Sequence, residues 1–200
     1  MTRPKTGLRG TLMRYIMALC LILFTATTLG AAPRTYALDP AQSLVGFAWD
    51  FGPDEIKGEM PVTRADLSLD FKDVTKSKVA VDVDVTRAKA GFPFASQGMK
   101  GPKVLDAANH PTISFVSSSV QRTKDGARIN GDITVRGVTR PMSFDAQIFR
   151  QRGTEETDLS QLVILLDGAL NRSEFGANGW SDLAGDQVRL NIRAYIEETN

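Results

Sequence analysis

In several stretches of this chain, hydrophobic residues occupy every second position instead of following the spacing of a helix. Residues 43–51 (SLVGFAWDF) put their large hydrophobic side chains on one face, and residues 79–86 and 188–197 alternate in the same way. Successive side chains of a β-strand point to opposite faces, so this pattern predicts strands with one buried and one solvated side.

Eight strands of this kind are predicted over most of the chain from residue 36 onward. Their segments are 43–51, 65–71, 79–86, 113–120, 128–136, 142–149, 161–170 and 188–197, with a further short strand possible at 55–60. Turn sequences such as residues 124–126 (KDG) separate them. The exception is the longer connection 90–111, rich in Gly, Pro and Phe. Within it, residues 102–109 are predicted to form a helical turn or two that begins near Pro102.

Alternation in every strand favours an antiparallel sheet around one core, and the scarcity of helical segments argues against a parallel βαβ arrangement. Eight such strands can close into a barrel, which leaves no exposed sheet edge. A barrel of this size is filled by its own side chains or holds one small ligand. The sequence predicts an all-β, eight-stranded antiparallel barrel with one short helical segment in a long loop. A two-sheet sandwich stays open as the alternative.

The first 32 residues have the features of a secretory signal peptide. Four basic residues precede the uncharged run 15–29, and small residues follow at 30–32. The run is shorter than the roughly 20 apolar residues of a spanning helix, so a permanent anchor is the weaker alternative. We expect a cleaved signal at 1–32, a barrel domain at 33–200 and a location in a bacterial periplasm.

The charge and the cysteine content of the domain argue against a nucleic-acid partner and against an internal disulfide. Four of the chain's 24 basic residues and none of its 23 acidic residues lie in the signal, which leaves residues 33–200 slightly acidic. A nucleic-acid partner is therefore not expected. The one cysteine, Cys20, also lies in the signal, so no disulfide is expected within the domain.

Few residues of the domain suit catalysis or metal binding. His110 is its single histidine, and zinc, copper or non-haem iron sites draw on clusters of His and Cys. No phosphate-binding or nucleophile-elbow glycine motif occurs. Four acids, Asp66, Asp70, Asp82 and Asp84, fall opposite the apolar faces of their strands and are predicted to be solvated. We expect no catalytic residue, no metal and no resident cofactor.

Aromatic residues are the candidates for binding, because a barrel of this type offers an apolar interior. One group falls at inward strand positions and either fills the core or contacts a ligand; another lies in glycine-rich loops and either plugs the barrel or lines its entrance. Lys100, Lys103 and Arg172 could meet an acidic head group; the alternatives are that the two lysines are ordinary surface residues and that Arg172 holds loop carbonyls. The candidate binding residues are Phe47, Trp49, Phe92, Phe94, Phe115, Ile133, Val135, Phe144, Arg172, Phe175 and Trp180.

Four segments, in order, resemble the YceI-like family of exported polyisoprenoid-binding proteins. They are YALDPAQSLVGF (36–47), VLDAANHPTISFVSSSV (104–120), INGDITVRGVTRPMSFD (129–145) and NRSEFGANGWSDLAGDQVRLNIRAYIE (171–197). Together they cover most of the domain. The chain departs from the family pattern after the first strand, where it has Trp49-Asp50-Phe51-Gly52 in place of a His-x-Gly.

The resemblance implies a lipocalin-like barrel that holds a polyisoprenoid or isoprenoid quinone in its interior, without catalysis. It admits a membrane b-type cytochrome as a partner and a monomeric or homodimeric state. Two other functions stay open: a ligandless barrel that acts as a periplasmic stress or interaction protein, and an enzyme that uses carboxylates inside the barrel.

Overall fold

A computed structural model describes residues 32–150, 153–155 and 157–199 of the chain. The alternating segments form strands of one antiparallel sheet, and an eight-residue helix and two short 3-10 helices lie between strands. The strands are β1 (Arg34–Leu38), β2 (Leu44–Phe51), β3 (Asp54–Met60), β4 (Val62–Leu69), β5 (Lys78–Asp84), β6 (Lys89–Ala90), β7 (Thr112–Arg122), β8 (Ala127–Val135), β9 (Val138–Arg150), β10 (Gln161–Asn171) and β11 (Ala184–Glu198). The helix is α1 (Pro93–Lys100), and the 3-10 helices span Val74–Lys76 and Arg172–Phe175.

The sheet closes on itself because β1 pairs on both sides. One side of β1 pairs with β4 and the other with the end of β11, and the ring runs β1-β4-β5-β7-β8-β9-β10-β11 before it returns to β1. Every pairing in this ring is antiparallel. The predicted eight-stranded antiparallel barrel is confirmed, and the sandwich alternative is wrong.

The eleven strands give eight barrel staves because two staves consist of two strands each and the two-residue β6, which pairs with β3, lies outside the ring. β1 and β2 pair with successive parts of β11, and only the turn at residues 39–43 separates them. β3 runs on into β4 after the single residue Pro61. The strand at 55–60, which the sequence marked as uncertain, is therefore the first half of a long stave. β1 and the two-residue β6 were not predicted.

The hydrophobic sides of the strands face the barrel interior, as the alternation predicts. In β2 the residues at every second position from Val45 to Phe51 line the interior, and in β11 those from Val188 to Ile196 do the same. Buried residues gather around Phe115 and Phe144, around Tyr36 and Leu162 at one end, and around Phe47 on the side covered by α1.

The helix lies earlier in the connection than predicted. Residues 102–109 form turns, whereas α1 begins at Pro93 and ends before Gly101. Proline suits the first turn of a helix because its missing N–H would have no partner there. Both Pro93 and Pro102 carry this signal, and the glycine that precedes Pro102 ends the helix that Pro93 begins.

The predicted signal segment lies almost wholly outside the described residues, so cleavage and export stay predictions. Among the residues described, none of the helices has the length and hydropathy needed to cross a bilayer.

Candidate functional site

The barrel encloses an apolar cavity of about 340 Å³. Side chains from β2, β4, β5, β7, β8, β9, β10 and β11 form its wall, and α1 and the loop before β11 border it. Ligand pockets generally measure about 300–1,000 Å³ and are mostly apolar with a few polar groups. The polar residues that reach this cavity are Ser43, Asp70, Ser77, Arg172 and Arg193.

All eleven candidate binding residues lie on the boundary of this one cavity. The inward aromatics of the strands form its wall, Ile133 and Val135 of β8 complete that part, and the loop aromatics lie where the wall ends. The structure thus brings together residues that are up to 133 positions apart in the chain. Their contact with a ligand stays a prediction.

Two aromatic pairs shape the wall. Phe47 and Trp49 of β2 stack with ring centroids 5.9 Å apart and ring planes 14° apart. Phe115 of β7 and Phe144 of β9 meet edge to face. Both arrangements are favourable for aromatic rings, and all four residues border the cavity.

Three aromatic residues, Phe92, Phe94 and Trp180, border the cavity and are also exposed to solvent, by 46%, 73% and 48%. We call these three residues the mouth. Phe92 immediately precedes α1 and Phe94 is the second residue of the helix, whereas Trp180 lies in the loop between the Arg172–Phe175 helix and β11. Of the predicted loop aromatics, only Phe175 is buried.

The mouth is formed by a direct contact between α1 and the Trp180 loop. A Cβ atom placed on Gly98 of α1 would lie 2.9 Å from Cη2 of Trp180, so the indole packs where only glycine leaves room. The N–H of Gly179 also donates to the carbonyl of Lys103, at 2.8 Å. Trp180 itself has φ of +54°, a left-handed conformation that is rare for a bulky residue.

Arg172 lies at the base of this loop with its guanidinium on backbone carbonyls. Nε donates to Gly185 at 2.9 Å, Nη2 to Ala184 at 2.8 Å, and Nη1 to both Ala177 and Gly179. The residue is 8% exposed. This is the carbonyl-holding arrangement that the sequence left open beside head-group contact, and it fixes the loop that carries Trp180.

The prediction of a solvated Asp70 is wrong, since this residue is buried and reaches the cavity. β4 ends at Leu69, so the alternation that places Asp66 outward does not extend to Asp70. Oδ1 of Asp70 accepts hydrogen bonds from the N–H groups of Lys72 and Asp73, which shapes the turn after the strand. Asp66 is exposed, and Asp82 and Asp84 are half-buried.

Sequence reasoning missed part of the wall. Val188, Leu190 and Ile192 of β11 and Met99 of α1 border the cavity. The β11 residues carry the same alternation that marked Phe47 and Trp49, so that signal was present and was passed over in favour of aromatic side chains. Met99 could not be found, because the helix was expected elsewhere.

The described residues contain no cluster of three His, Cys, Asp or Glu side chains that could hold a metal ion. His110 is half-buried beside the β8–β9 turn. A Cβ atom placed on Gly137 of that turn would lie 3.2 Å from Cε1 of His110.

Comparison with known proteins places this barrel in a family. The model of the YceI-like domain matches residues 36–196. The chain belongs to the YceI-like family. Among its relatives, a UPF0312 protein of Vibrio parahaemolyticus is 29% identical over 136 residues, which are 66% of this chain and 72% of that protein. Protein YceI of Escherichia coli is 26% identical over 108 residues, 54% of this chain and about half (53%) of that protein.

Solved structures share the YceI-like barrel. BcnA of Burkholderia cenocepacia superposes with a TM-score of 0.71 at 17% identity, covering 80% of this chain and 99% of that one. A polyisoprenoid binding domain from Saccharophagus degradans, implicated in plant cell wall breakdown, gives a TM-score of 0.58 at 9% identity, covering 83% and 99% of the two chains. At these identities the likeness concerns the fold.

Proposed function

We propose that this YceI-like protein is a non-catalytic carrier of a polyisoprenoid or a related amphiphilic lipid, such as an isoprenoid quinone. The observation that carries the proposal is the apolar cavity of about 340 Å³, whose boundary holds all eleven candidate binding residues. The polyisoprenoid-binding neighbour from Saccharophagus degradans, which shares the fold, supports the same ligand class.

Burial of hydrocarbon supplies the affinity in this proposal. Each CH₂ group removed from water contributes about 0.8 kcal/mol, so a prenyl chain gains several kcal/mol along the wall formed by Phe47, Phe115 and Phe144. A hydrocarbon chain needs no directional partner, which fits a wall with few polar groups. The size of the cavity also favours a ligand-holding barrel over the ligandless alternative.

The head group is proposed to lie at the mouth. The guanidinium of Arg172 donates four hydrogen bonds to backbone carbonyls. A guanidinium has five N–H groups, so one of them has no acceptor among the described residues. A quinone oxygen, phenol or phosphate could accept from it. Beside the turn after β4, the polar residues on the cavity boundary are Asp70 and Ser77.

Periplasmic location and transport are part of the proposal. We propose that export removes residues 1–32 and that the barrel carries its lipid across the periplasm. A membrane b-type cytochrome as the partner that exchanges a quinone, and a monomeric or homodimeric state, stay predictions. N-terminal sequencing of periplasmic protein tests the processing, and recovery of the intact chain only with membranes would contradict it.

Lipid identification tests the ligand. Protein purified from its own periplasm is measured by native mass spectrometry, and the bound molecule is then extracted with solvent and identified. We expect an adduct that yields a prenyl lipid or quinone. An empty barrel that also takes up no quinone analogue in solution would overturn the proposal.

A further inference from the structure

Basic residues concentrate in the segment that carries two of the three mouth residues. Residues 85–105 contain Arg87, Lys89, Lys100 and Lys103 and no Asp or Glu, although the whole chain has 24 basic and 23 acidic residues. Of these four, only Arg87 forms an ion pair within the described residues, with Asp84. Three lysines beside the mouth are thus without a carboxylate partner in the part of the chain that the structure describes.

Large exposed apolar side chains lie in and beside the segment that carries these lysines. Phe94 is 73% exposed on the first turn of α1, Phe92 precedes it, and Trp180 is held against Gly98 of the same helix. Leu183, three residues after Trp180, is also exposed, and its N–H donates to the carbonyl of Trp180. Contiguous exposed apolar patches on a protein surface commonly mark sites of interaction with a protein or a membrane.

The chemistry of this surface matches a membrane more closely than a protein. Trp and Phe side chains favour the headgroup layer of a bilayer, and lysines near them attract anionic lipid phosphates. The Trp180 loop adds a single acid, Asp182. The exposed aromatics also border the cavity, so a bilayer that covered them would lie next to the cavity.

We propose that the mouth docks on an anionic lipid bilayer. Phe92, Phe94 and Trp180 enter the interfacial layer, and Lys89, Lys100 and Lys103 lie against lipid phosphates. The inference rests on the proposed carrier function, in that the bilayer is where the cargo is taken up and delivered. It adds a surface and a partner to that function.

The test measures co-sedimentation of the full protein with vesicles that contain no prenyl lipid. One vesicle set is equimolar phosphatidylglycerol and phosphatidylcholine, and the other is phosphatidylcholine alone. We expect binding to the anionic vesicles that weakens as salt is raised, since charge attraction is screened. Equal binding to both sets, or none to the anionic set, would overturn the proposal.

Two variants with matched controls locate the surface. Phe94→Ser should weaken binding about tenfold, because a largely exposed phenyl ring no longer enters the bilayer. Phe149→Ser removes an exposed phenylalanine of β9, which has no part in the mouth, and should bind like the wild type. The melting temperature should change little in both, since neither side chain is buried.

The charge variant removes two exposed lysines. Lys89→Gln with Lys103→Gln should weaken binding about 25-fold, at about fivefold for each lysine near an anionic surface. Lys72→Gln with Lys124→Gln makes the same charge change elsewhere on the barrel and should have no effect. Equal binding by all four variants would overturn the proposal. So would a wild-type oligomer that Phe94→Ser dissociates without any effect on vesicles, because the surface would then join two copies of the chain.

The two proposals fail separately in these measurements. If the protein binds anionic vesicles but contains no lipid when purified from its periplasm, the docking proposal stands and the carrier proposal is wrong. If the protein retains a prenyl lipid but does not bind vesicles, the carrier proposal stands and the docking proposal is wrong.

Discussion

Phe115 and Phe144 meet edge to face across β8, with ring centroids 5.2 Å apart and ring planes at 86°. Glycines make this contact possible. A Cβ atom on Gly131 of β8 would lie 2.6 Å from Cζ of Phe115, and one on Gly168 of β10 would lie 2.8 Å from Cδ1 of Phe144. The two rings therefore fill positions that the neighbouring strands leave empty, and both reach the cavity.

Phe144→Ala should lower the free energy of unfolding of the empty barrel by about 3–5 kcal/mol. The substitution removes a buried ring together with its edge-to-face contact to Phe115, and Gly168 cannot fill the space. Chemical denaturation of delipidated protein measures the loss, with Phe149→Ala as the exposed control. Lipid retention should fall as well, because the ring also borders the cavity. Equal losses with and without lipid would indicate a purely structural side chain.

Arg172→Gln should destabilise the barrel by about 3 kcal/mol or more, because buried carbonyls that lose their donor cost about 1–3 kcal/mol each. Arg172→Lys should recover little, since an ammonium cannot reproduce the planar set of donors. Arg140→Gln, at an exposed arginine of β9, is the control. Thermal unfolding and the lipid content of the folded fraction are measured together. Unchanged lipid content with a lower melting temperature would limit Arg172 to holding the loop, whereas a lower content in the folded protein would support head-group contact.

The sequence predicted the barrel and its wall because both follow from one local rule. Where a strand is continuous, alternation assigns each side chain to a face, and Phe47, Phe115 and Phe144 lie where that rule puts them. Prediction failed where a strand ends. Asp70 follows the last residue of β4, so alternation does not apply to it, and its side chain is buried. In the 90–111 connection, Pro93 and Pro102 both fit the first turn of a helix, and the helix begins at Pro93.

The details of the mouth could not be predicted, because they depend on contacts between distant segments. Nothing local to Arg172 indicates that its acceptors are carbonyls at four positions between 177 and 185. The fit of Trp180 against Gly98 joins residues 82 positions apart. The sequence marks Trp180 as an aromatic residue of a glycine-rich loop, and only the fold brings it against Gly98.

Asp84, the last residue of β5, should make stability depend on acid pH. Hydrogen bonds from Thr86, and then from Arg87, lower the pKa of this carboxyl from 3.8 to about 2. A lowered pKa in the folded state means that the ionised group stabilises the fold above its unfolded pKa of about 3.9, and that this stability is lost as pH falls toward 2.

The expected contribution of Asp84 is about 1 kcal/mol or less, because solvent screens a pair at the surface. Asp84→Asn should therefore be less stable than the wild type at pH 7, with the difference shrinking between about pH 4 and pH 2. Urea unfolding at several pH values measures it, and Asp125→Asn in the β7–β8 turn is the control. A difference that stays constant down to pH 2 would contradict the assignment.

Gly98→Ala should speed lipid exchange without lowering stability. The new methyl group would lie 2.9 Å from Cη2 of Trp180, so the indole has to leave α1, and the mouth opens. Alanine is also favoured over glycine inside a helix by about 1 kcal/mol, which offsets the lost contact. Transfer of a bound ubiquinone analogue to acceptor vesicles gives the exchange rate, and thermal unfolding gives the stability.

Trp180→Ala tests whether that contact closes the cavity. The variant removes the indole and should exchange lipid at least as fast as Gly98→Ala, and the left-handed φ of +54° is strained for Trp and Ala alike, so the backbone change is small. Adding Gly98→Ala to Trp180→Ala should change the exchange rate no further, because the group that the methyl displaces is gone. Unaltered exchange in Trp180→Ala would show that the mouth does not control entry, and additive effects of the two substitutions would show that Gly98 acts through the helix and not through Trp180.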